Sequence, residues 1–302
     1  MKRTLLIIGS GYVGTKLASR ALDMGWRVVV TTRDASNLDH LQGATIVAWD
    51  ILKDAPTALA SYMGASTSMV YSIPTLMRTY EPPDAQGDAP HLTPVKALLA
   101  CAEAEGLERC IYLSSTSVYG DQAGRWVDEQ TPPQPNAALG KMRAELEALF
   151  LSQSWTRAFV GRIVGIYGPG RTLVDYLQRG RYQLVDGGQK RTNRIHVDDI
   201  VTSIMAMLEH QEHRSRVYNL CDGHPVTVRE LVAFLVEHTS LTWPEEVDME
   251  TYASTRPASV VARWKNSYLC RNDRLVHELG VTLQYPTVLD GYRAMIEREE
   301  LV

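Results

Sequence analysis

Long apolar runs are missing from this chain, and so is a strong excess of charge of either sign. No stretch of its 302 residues approaches the roughly 18 apolar positions that a membrane-spanning helix needs, so no membrane partner is expected. Lys and Arg number 31 against 35 Asp and Glu, a formal net charge of −4, which leaves no electrostatic footprint for nucleic acid. Cysteine is scarce. Cys101, Cys110, Cys221 and Cys270 are scattered and form no C-x-x-C pair, so no zinc or redox motif is visible and no metal is expected. Dispersed thiols fit a reducing cytoplasm, where they serve as small core residues. The basic start, Lys2-Arg3, is followed by too short an apolar stretch for a signal peptide, since Leu5–Ile8 runs straight into a glycine-rich turn. Internal repeats and low-complexity tracts are absent too. What remains, 45% hydrophobic and 22% charged, is the composition of an ordinary globular protein.

What is present is an alternation. Short apolar runs at Thr4–Ile8, Arg27–Thr31, Thr45–Ala48, Ser68–Ser72, Arg109–Ser114 and Ala158–Val164 read as strands. Gly14–Met24, with Leu17, Ala18, Ala21 and Leu22 at core spacing, reads as a helix, as do Thr93–Glu105 and Lys141–Leu151. The pattern predicts an α/β fold, a doubly wound parallel sheet covered by helices through right-handed crossovers. Beyond about residue 165 the rhythm changes. Gly168-Pro169-Gly170 breaks it, and a basic, loop-rich stretch follows through Arg171, Arg179, Arg181, Lys190, Arg191 and Arg194. His196–Leu208 reads as a helix whose Asp198 and Asp199 match the positive end of its dipole. Arg216–Leu220 reads as a strand, and Thr227–His238 as a helix with a Thr227/Glu230 capping box. Residues 240–302, with Pro244, Pro257 and Pro286, read as a smaller, irregular cap. The expected division is a sheet domain over residues 1–170 plus roughly 193–221, and a substrate-binding part over roughly 171–192 and 222–302.

Gly9-Ser10-Gly11-Tyr12-Val13-Gly14 follows the first strand and opens the first helix, the context that marks a dinucleotide fingerprint. Gly9 permits the tight turn, Gly11 lets backbone approach a pyrophosphate, and Gly14 lets helix pack on strand. The helix N-terminus offers unpaired N–H groups to the anion. All six residues of the turn are candidate cofactor contacts on a Rossmann-type sheet. The second strand ends Val30-Thr31-Thr32-Arg33-Asp34. Thr32 stands where an NAD-binding protein keeps an acid for the ribose 2′-OH, and Arg33 suits a 2′-phosphate. NADP(H) is therefore expected ahead of NAD(H), with Asp34 as the competing reading. Asp50 and Ile51 end the next strand as candidate adenine contacts, a helix N-cap being the alternative for Asp50.

Further landmarks follow in order: Leu113-Ser114-Ser115-Thr116-Ser117-Val118-Tyr119-Gly120, Arg162–Arg171, Ile195-His196-Val197-Asp198-Asp199, and Tyr218-Asn219-Leu220. Glu129 before Pro132 and Leu279-Gly280 before Tyr285-Pro286 extend the series. Together they resemble the extended short-chain dehydrogenase/reductase family, the NAD-dependent epimerase/dehydratases that act mostly on nucleotide sugars, over nearly the whole chain. The resemblance implies that Ser115 hydrogen-bonds a substrate oxygen and that Ser72 and Ile73 line the cofactor. It also implies that Lys141, the lysine of the Y-x-x-x-K motif, holds the nicotinamide ribose. The tyrosine of that motif is missing: Ala137 stands four residues before Lys141. The lost group is the general acid/base, a contribution of roughly 10²–10⁴ in rate. Ile8 likewise replaces the first glycine of the family's G-x-x-G-x-x-G. Both departures resemble atypical members, some called epimerases or reductases and others cofactor sensors.

Thr116 and Tyr119 join Ser115 and Lys141 as catalytic candidates, and Tyr112, Tyr167 and His196 are further side chains with a transferable proton. Packing is the alternative for each. The basic stretch meets an anionic substrate or forms a solvated loop face, and Arg78–His91 forms a flap beside the cofactor or an ordinary loop. Three functions stay open. The first is an NAD(P)-dependent oxidoreductase or epimerase/dehydratase acting on a nucleotide sugar or a small carbonyl or hydroxyl compound. The others are a catalytically silent NADP(H) sensor and a scaffold with a vestigial nucleotide site. The apolar helices at 93–105 and 141–151 suggest a homodimer.

Overall fold

The computed structural model describes residues 3–74, 80–211 and 214–301. Its first strand, β1 (Thr4–Ile8), is buried at every position, as a central strand covered on both faces must be. The glycine turn leads into helix α1 (Tyr12–Asp23), whose Val13, Leu17, Ala18 and Ala21 recur at the helical period and form its buried face. Then come β2 (Arg27–Thr32), β3 (Thr45–Ala48), β4 (Thr67–Tyr71), α2 (Thr93–Ala104), β5 (Arg109–Ser115) and α3 (Ala138–Leu151). Strands Arg157–Ile163 and Arg216–Leu220 complete a seven-stranded sheet, ordered Arg216–Leu220, Arg157–Ile163, β5, β4, β1, β2, β3. The pairs β1–β2, β2–β3, β1–β4 and β4–β5 are parallel. The chain runs outward from β1 to β3 and then lays β4 on the other side of β1. The order reverses between β1 and β4, where a doubly wound sheet leaves its ligand crevice.

Chain contacts divide the protein into two compact units, one of Met1–Ser115, Ala138–Arg162 and Ser203–Tyr218, the other of Thr116–Ala137, Ile163–Thr202 and Asn219–Val302. Beside the expected boundary near residue 170, this partition groups residues 116–137, 163–170 and 193–202 with the second unit. Residues 116–137 leave the sheet because Trp126–Val127 pairs in parallel with Leu269–Cys270. Residues 163–170 and 193–202 leave it because Gly165–Tyr167 pairs with Arg194–His196. Residues 240–302, read as a smaller and less regular cap, hold the helices Met249–Ser254, Ala258–Lys265, Asp273–His277 and Val288–Glu297. In the last of these, Val288, Tyr292 and Met295 join Leu231, Phe234 and Leu235 in the core of the second unit.

The apolar positions of α2 and α3 are spent inside the first unit: Val95, Leu98, Leu99, Met142, Leu146 and Phe150 all pack in its core, while Leu139 is exposed. No described helix is long and apolar enough to cross a membrane. No group of three or more His, Cys, Asp or Glu side chains able to hold a metal ion occurs among the described residues.

Asp198 and Asp199 stand in the first turn of helix Val197–Glu209, as the sequence suggests, and Asp199 has a second role. It is buried and accepts N–H groups of Gln284 (2.6 Å) and Tyr285 (3.1 Å), and burial pushes its pKa up to about 6. Asp222, in the same unit, shows the larger displacement. Burial pushes its pKa from 3.8 up to about 7, against the opposing pull of the His224 N–H, the His224 side chain and Arg194. The folded chain thus keeps this proton where the unfolded chain has already lost it. The stabilisation is fully present below about pH 4 and is lost as pH rises to about 7, up to about 4 kcal/mol in all. Asp222→Asn is expected to flatten the pH dependence of the melting temperature and to melt above the wild type at about pH 8. A wild-type melting temperature that climbs between about pH 5 and pH 8, in step with the variant, would contradict this.

Candidate functional site

A cavity of about 640 Å³ lies in the first unit where β1, β2 and β4 end. Its floor is the glycine turn. Gly9 has φ +107°, a conformation that favours glycine, and its N–H donates to Thr31 Oγ1 at 3.0 Å. A Cβ on Gly14 would stand 2.3 Å from the Gly9 carbonyl oxygen, so only glycine lets α1 approach β1 this closely. Gly11 differs. Its φ of −73° suits any residue and a Cβ there would meet no atom within 4 Å. The protein's own packing does not require glycine at this position, and its absence of a side chain leaves the backbone open. Gly11 caps α1 without a side-chain hydrogen bond and the first turn carries no acid, so the positive helix end stays open to an anion. The residues fit the pyrophosphate of a dinucleotide.

Gly9, Ser10 and Gly11 line this cavity, as do Thr32, Arg33 and Asp34. Asp50, Ile51, Ser72 and Ile73 line it too. The Val13 side chain is buried in the core, and a Cβ on Gly14 would meet Gly9 and Ile7. Tyr12 does not line the cavity. At the end of β2, the Asp34 carboxylate accepts from Ser36 N–H (3.0 Å) and Ser36 Oγ (2.7 Å), bonds that hold its pKa below the usual carboxylate value. Thr32 Oγ1 is taken up by Asp34 backbone. Arg33 is exposed and has no carboxylate partner among the described residues. Asp50 Oδ1 accepts the Leu52 N–H at 3.0 Å, with Lys53 at 3.9 Å.

The residues expected to do chemistry are held as follows. Ser115 ends β5, and its neighbour Ser114 donates to Glu147 Oε1 at 2.6 Å. Glu147, on α3, meets Arg162 Nη2 at 2.7 Å, with both side chains almost fully buried. This pair escapes a reading of the sequence, because a glutamate in an amphipathic helix reads as solvated. Lys141 is exposed and its Nζ lies 5.3 Å from the centre of the Tyr80 ring. Glu145 accepts from Tyr80 Oη (2.5 Å) and meets His91 Nε2 at 2.7 Å, anchoring residues 80–91 to α3. Arg78, the start of the expected flap, lies outside the described residues.

Tyr119 is fully buried in the second unit, its phenol against Asp128 O (2.8 Å) and Asn219 Oδ1 (2.7 Å). Thr116 is buried too, accepting from Tyr268 Oη at 2.8 Å. Tyr112 stacks on Phe150 in the core of the first unit. Tyr167 stacks on Tyr292, and His196 packs between Tyr167 and Tyr285.

A second cavity, about 820 Å³, lies within the second unit. Six cationic side chains line it, Arg171, Arg181, Lys190, Arg191, Arg194 and Arg256, and no described carboxylate does. Burial beside Trp264 lowers the Lys190 pKa to about 8. Arg194 Nε is buried without a hydrogen-bond partner among the described residues. Cations concentrated along a lining that holds no described carboxylate raise the local concentration of an anion. The basic stretch of the sequence thus supplies the lining, except that Arg179 stays outside and Arg256 comes from the stretch read as irregular.

Sheet order, glycine turn and open crevice define a Rossmann-type dinucleotide-binding protein. Residues 5–221 match the NAD dependent epimerase/dehydratase family, and the chain belongs to that family. It is 27% identical over 299 residues to Protein YeeZ of Escherichia coli (strain K12), covering 95% of this chain and 98% of that one. A functionally unknown conserved protein from Silicibacter pomeroyi DSS superposes with a TM-score of 0.80 at 30% identity, covering 99% of this chain and 100% of that one. The UDP-glucose 4-epimerase of Thermus thermophilus, solved in complex with NAD, shares the fold at a TM-score of 0.75 and 17% identity, covering 97% of this chain and 98% of that one.

Proposed function

We propose that this chain is an NADP(H)-dependent oxidoreductase of the epimerase/dehydratase type, acting on a nucleoside-diphosphate sugar. The observation that carries the reading is the six-cation cavity without a carboxylate, in a chain that also carries the open cradle at Gly11. A bound dinucleotide supplies a hydride donor or acceptor at its nicotinamide. The chain's own residues bind and orient. Backbone N–H groups at the start of α1 hold the pyrophosphate, and Ser72 and Ile73 line its path. Arg33, exposed at the end of β2 and lining the cavity, holds a 2′-phosphate, while Asp34 Oδ1 accepts from Ser36. Lys141 meets the nicotinamide ribose once Tyr80 yields its ammonium, and Ser115 orients the reacting oxygen.

Arg33→Ala tests the cofactor half. NADPH affinity is expected to fall by about tenfold or more, the worth of a hydrogen bond to a charged group, with NADH affinity unchanged. Equal losses for both dinucleotides would contradict the assignment. NADPH consumption across a panel of nucleotide sugars and small carbonyl compounds tests the reaction. Ala137 favours a second reading, a silent NADP(H) sensor, for which tight binding without turnover across that panel is the signature. The exposed Leu139 and the four free thiols support, in turn, pairing through α3 and a reducing cytoplasmic setting. Light scattering checks the former.

A further inference from the structure

We propose that Tyr80, Glu145 and His91 form a proton relay in place of the phenol missing at position 137, with Tyr80 taking the proton of the substrate hydroxyl; this rests on the oxidoreductase reading above. All three side chains belong to the first unit, together with Lys141, Ser115 and the glycine-turn cavity. Glu145 is the bridge. Its Oε1 accepts from Tyr80 Oη at 2.5 Å, its Oε2 meets His91 Nε2 at 2.7 Å, and His91 is almost fully buried. The relay stands at the carboxyl end of the sheet. Glu147 on α3 meets Ser114 of β5, and one turn later Phe150 stacks on Tyr112, which comes earlier in β5. Helix α3 therefore runs antiparallel to β5, and its start reaches past the end of that strand. At about 1.5 Å per residue, Lys141 stands roughly 9 Å beyond Glu147 along the helix axis, with Glu145 between them. β4 lies beside β5, and Ser72 and Ile73, which follow β4, line the dinucleotide cavity. Lys141 Nζ lies 5.3 Å from the centre of the Tyr80 ring, so the cation assigned to the nicotinamide ribose already stands against this phenol.

Tyr71, Tyr112 and Tyr218 of the same unit are buried, whereas Tyr80 is only half-buried. Its hydroxyl gives its one proton to Glu145 and still has lone pairs with which to accept another. The bond to Glu145 raises the Tyr80 pKa, so the phenol keeps its proton until the substrate supplies a second. In the oxidative direction the substrate carbon gives a hydride, two electrons and a proton, to an oxidised nicotinamide. As C–OH becomes C=O, the hydroxyl proton passes to Tyr80 Oη and the phenol's own proton passes to Glu145 Oε1. CH–OH and NADP+ become C=O, NADPH and one proton, which His91 or water takes from Glu145. The phenol ends as it began.

Three variants of the full chain test this. The first carries 3-fluorotyrosine at position 80, with its 19F resonance followed as NADP+ alone is added. The resonance is expected to move on binding, as Lys141 leaves the ring for the ribose. A chain that binds NADP+ while the resonance stays still overturns the relay and leaves the cofactor reading standing. A chain that does not bind NADP+ overturns both. The other variants are Tyr80→Phe and Glu145→Gln, the latter keeping an acceptor for the phenol but unable to take its proton. Both are assayed by NADPH formation with whichever of UDP-glucose and a panel of small alcohols the wild type oxidises fastest. Each is expected to lower kcat by roughly 10²–10⁴ with KM and NADP+ affinity unchanged, while the fluorotyrosine protein keeps its turnover. Unchanged kcat in either variant overturns the relay, because a tyrosine that only fastens its loop tolerates a glutamine partner. No oxidation by the wild type across the panel overturns the enzyme reading and the relay together.

Discussion

Gly11→Val is expected to cost most of the dinucleotide affinity while leaving the chain folded. The backbone at Gly11 is ordinary, with φ −73° and ψ −174°, and the new Cβ would meet no protein atom within 4 Å. The Thr15 N–H to Gly11 O bond, at 2.9 Å, involves no side chain and survives. Losing a glycine from the unfolded ensemble even favours folding slightly. The added methyl groups occupy the space through which a pyrophosphate reaches the amides. Two hydrogen bonds to a charged acceptor are worth about 3–6 kcal/mol together, or roughly two to four decades of affinity. Gly14→Ala behaves in the opposite way. Its Cβ would collide with Gly9 O at 2.3 Å, so the helix must shift, at about 1–3 kcal/mol of stability. Fluorescence titration with NADPH beside thermal melting separates the two cases. A Gly11→Val chain that binds normally, or that fails to fold, contradicts the assignment.

Arg162→Met is the second large effect, this time on stability. Arg162 Nε reaches both oxygens of Glu147, at 3.2 and 3.0 Å, Nη2 adds a bond of 2.7 Å, and Ser114 Oγ donates at 2.6 Å. Removing the guanidinium leaves a carboxylate buried without its counter-charge, expected to cost about 3–5 kcal/mol. Removing both partners, as Arg162→Met with Glu147→Met, is expected to restore most of that, because two apolar chains fill the space without stranding a charge. Urea denaturation of the single and double variants reads the difference. Additive losses, or a single variant within about 0.5 kcal/mol of wild type, would contradict it. The cluster has a functional consequence, since it fixes Ser114 and hence the end of β5 from which Ser115 projects.

How far the sequence exposes this arrangement depends on how local each signal is. The strand–turn–helix at residues 4–23 is legible because apolar run, glycines and helical period fall within one short window. The Thr227/Glu230 capping box is legible for the same reason and is present in full. Arg33 beside a committed Asp34 is half legible: the order Thr-Arg-Asp can be read, while Ser36 as the carboxylate's partner emerges only from the turn that follows. The second unit is built from pairings between distant segments, Trp126–Val127 with Leu269–Cys270 and Gln183–Val185 with Glu245–Val247, each too short to show a period. Tyr268, Arg256 and Trp264 are carried on those segments or beside them, so nothing in their neighbourhood marks them. Helix Val288–Glu297 does carry a signal, Thr287 capping Asp290 ahead of Val288, Tyr292 and Met295. Pro286 masks it, reading as a breaker although a proline just before a helix start is common. Asp199 is misleading because a carboxylate near a helix start matches a dipole as well as it matches two distant backbone N–H groups.

Titration of the purified chain with NADPH and, in a parallel experiment, with NADH reaches the central claim most directly. One saturable site per chain, with NADPH held more tightly than NADH, is the expected result. No saturable binding of either dinucleotide would contradict it.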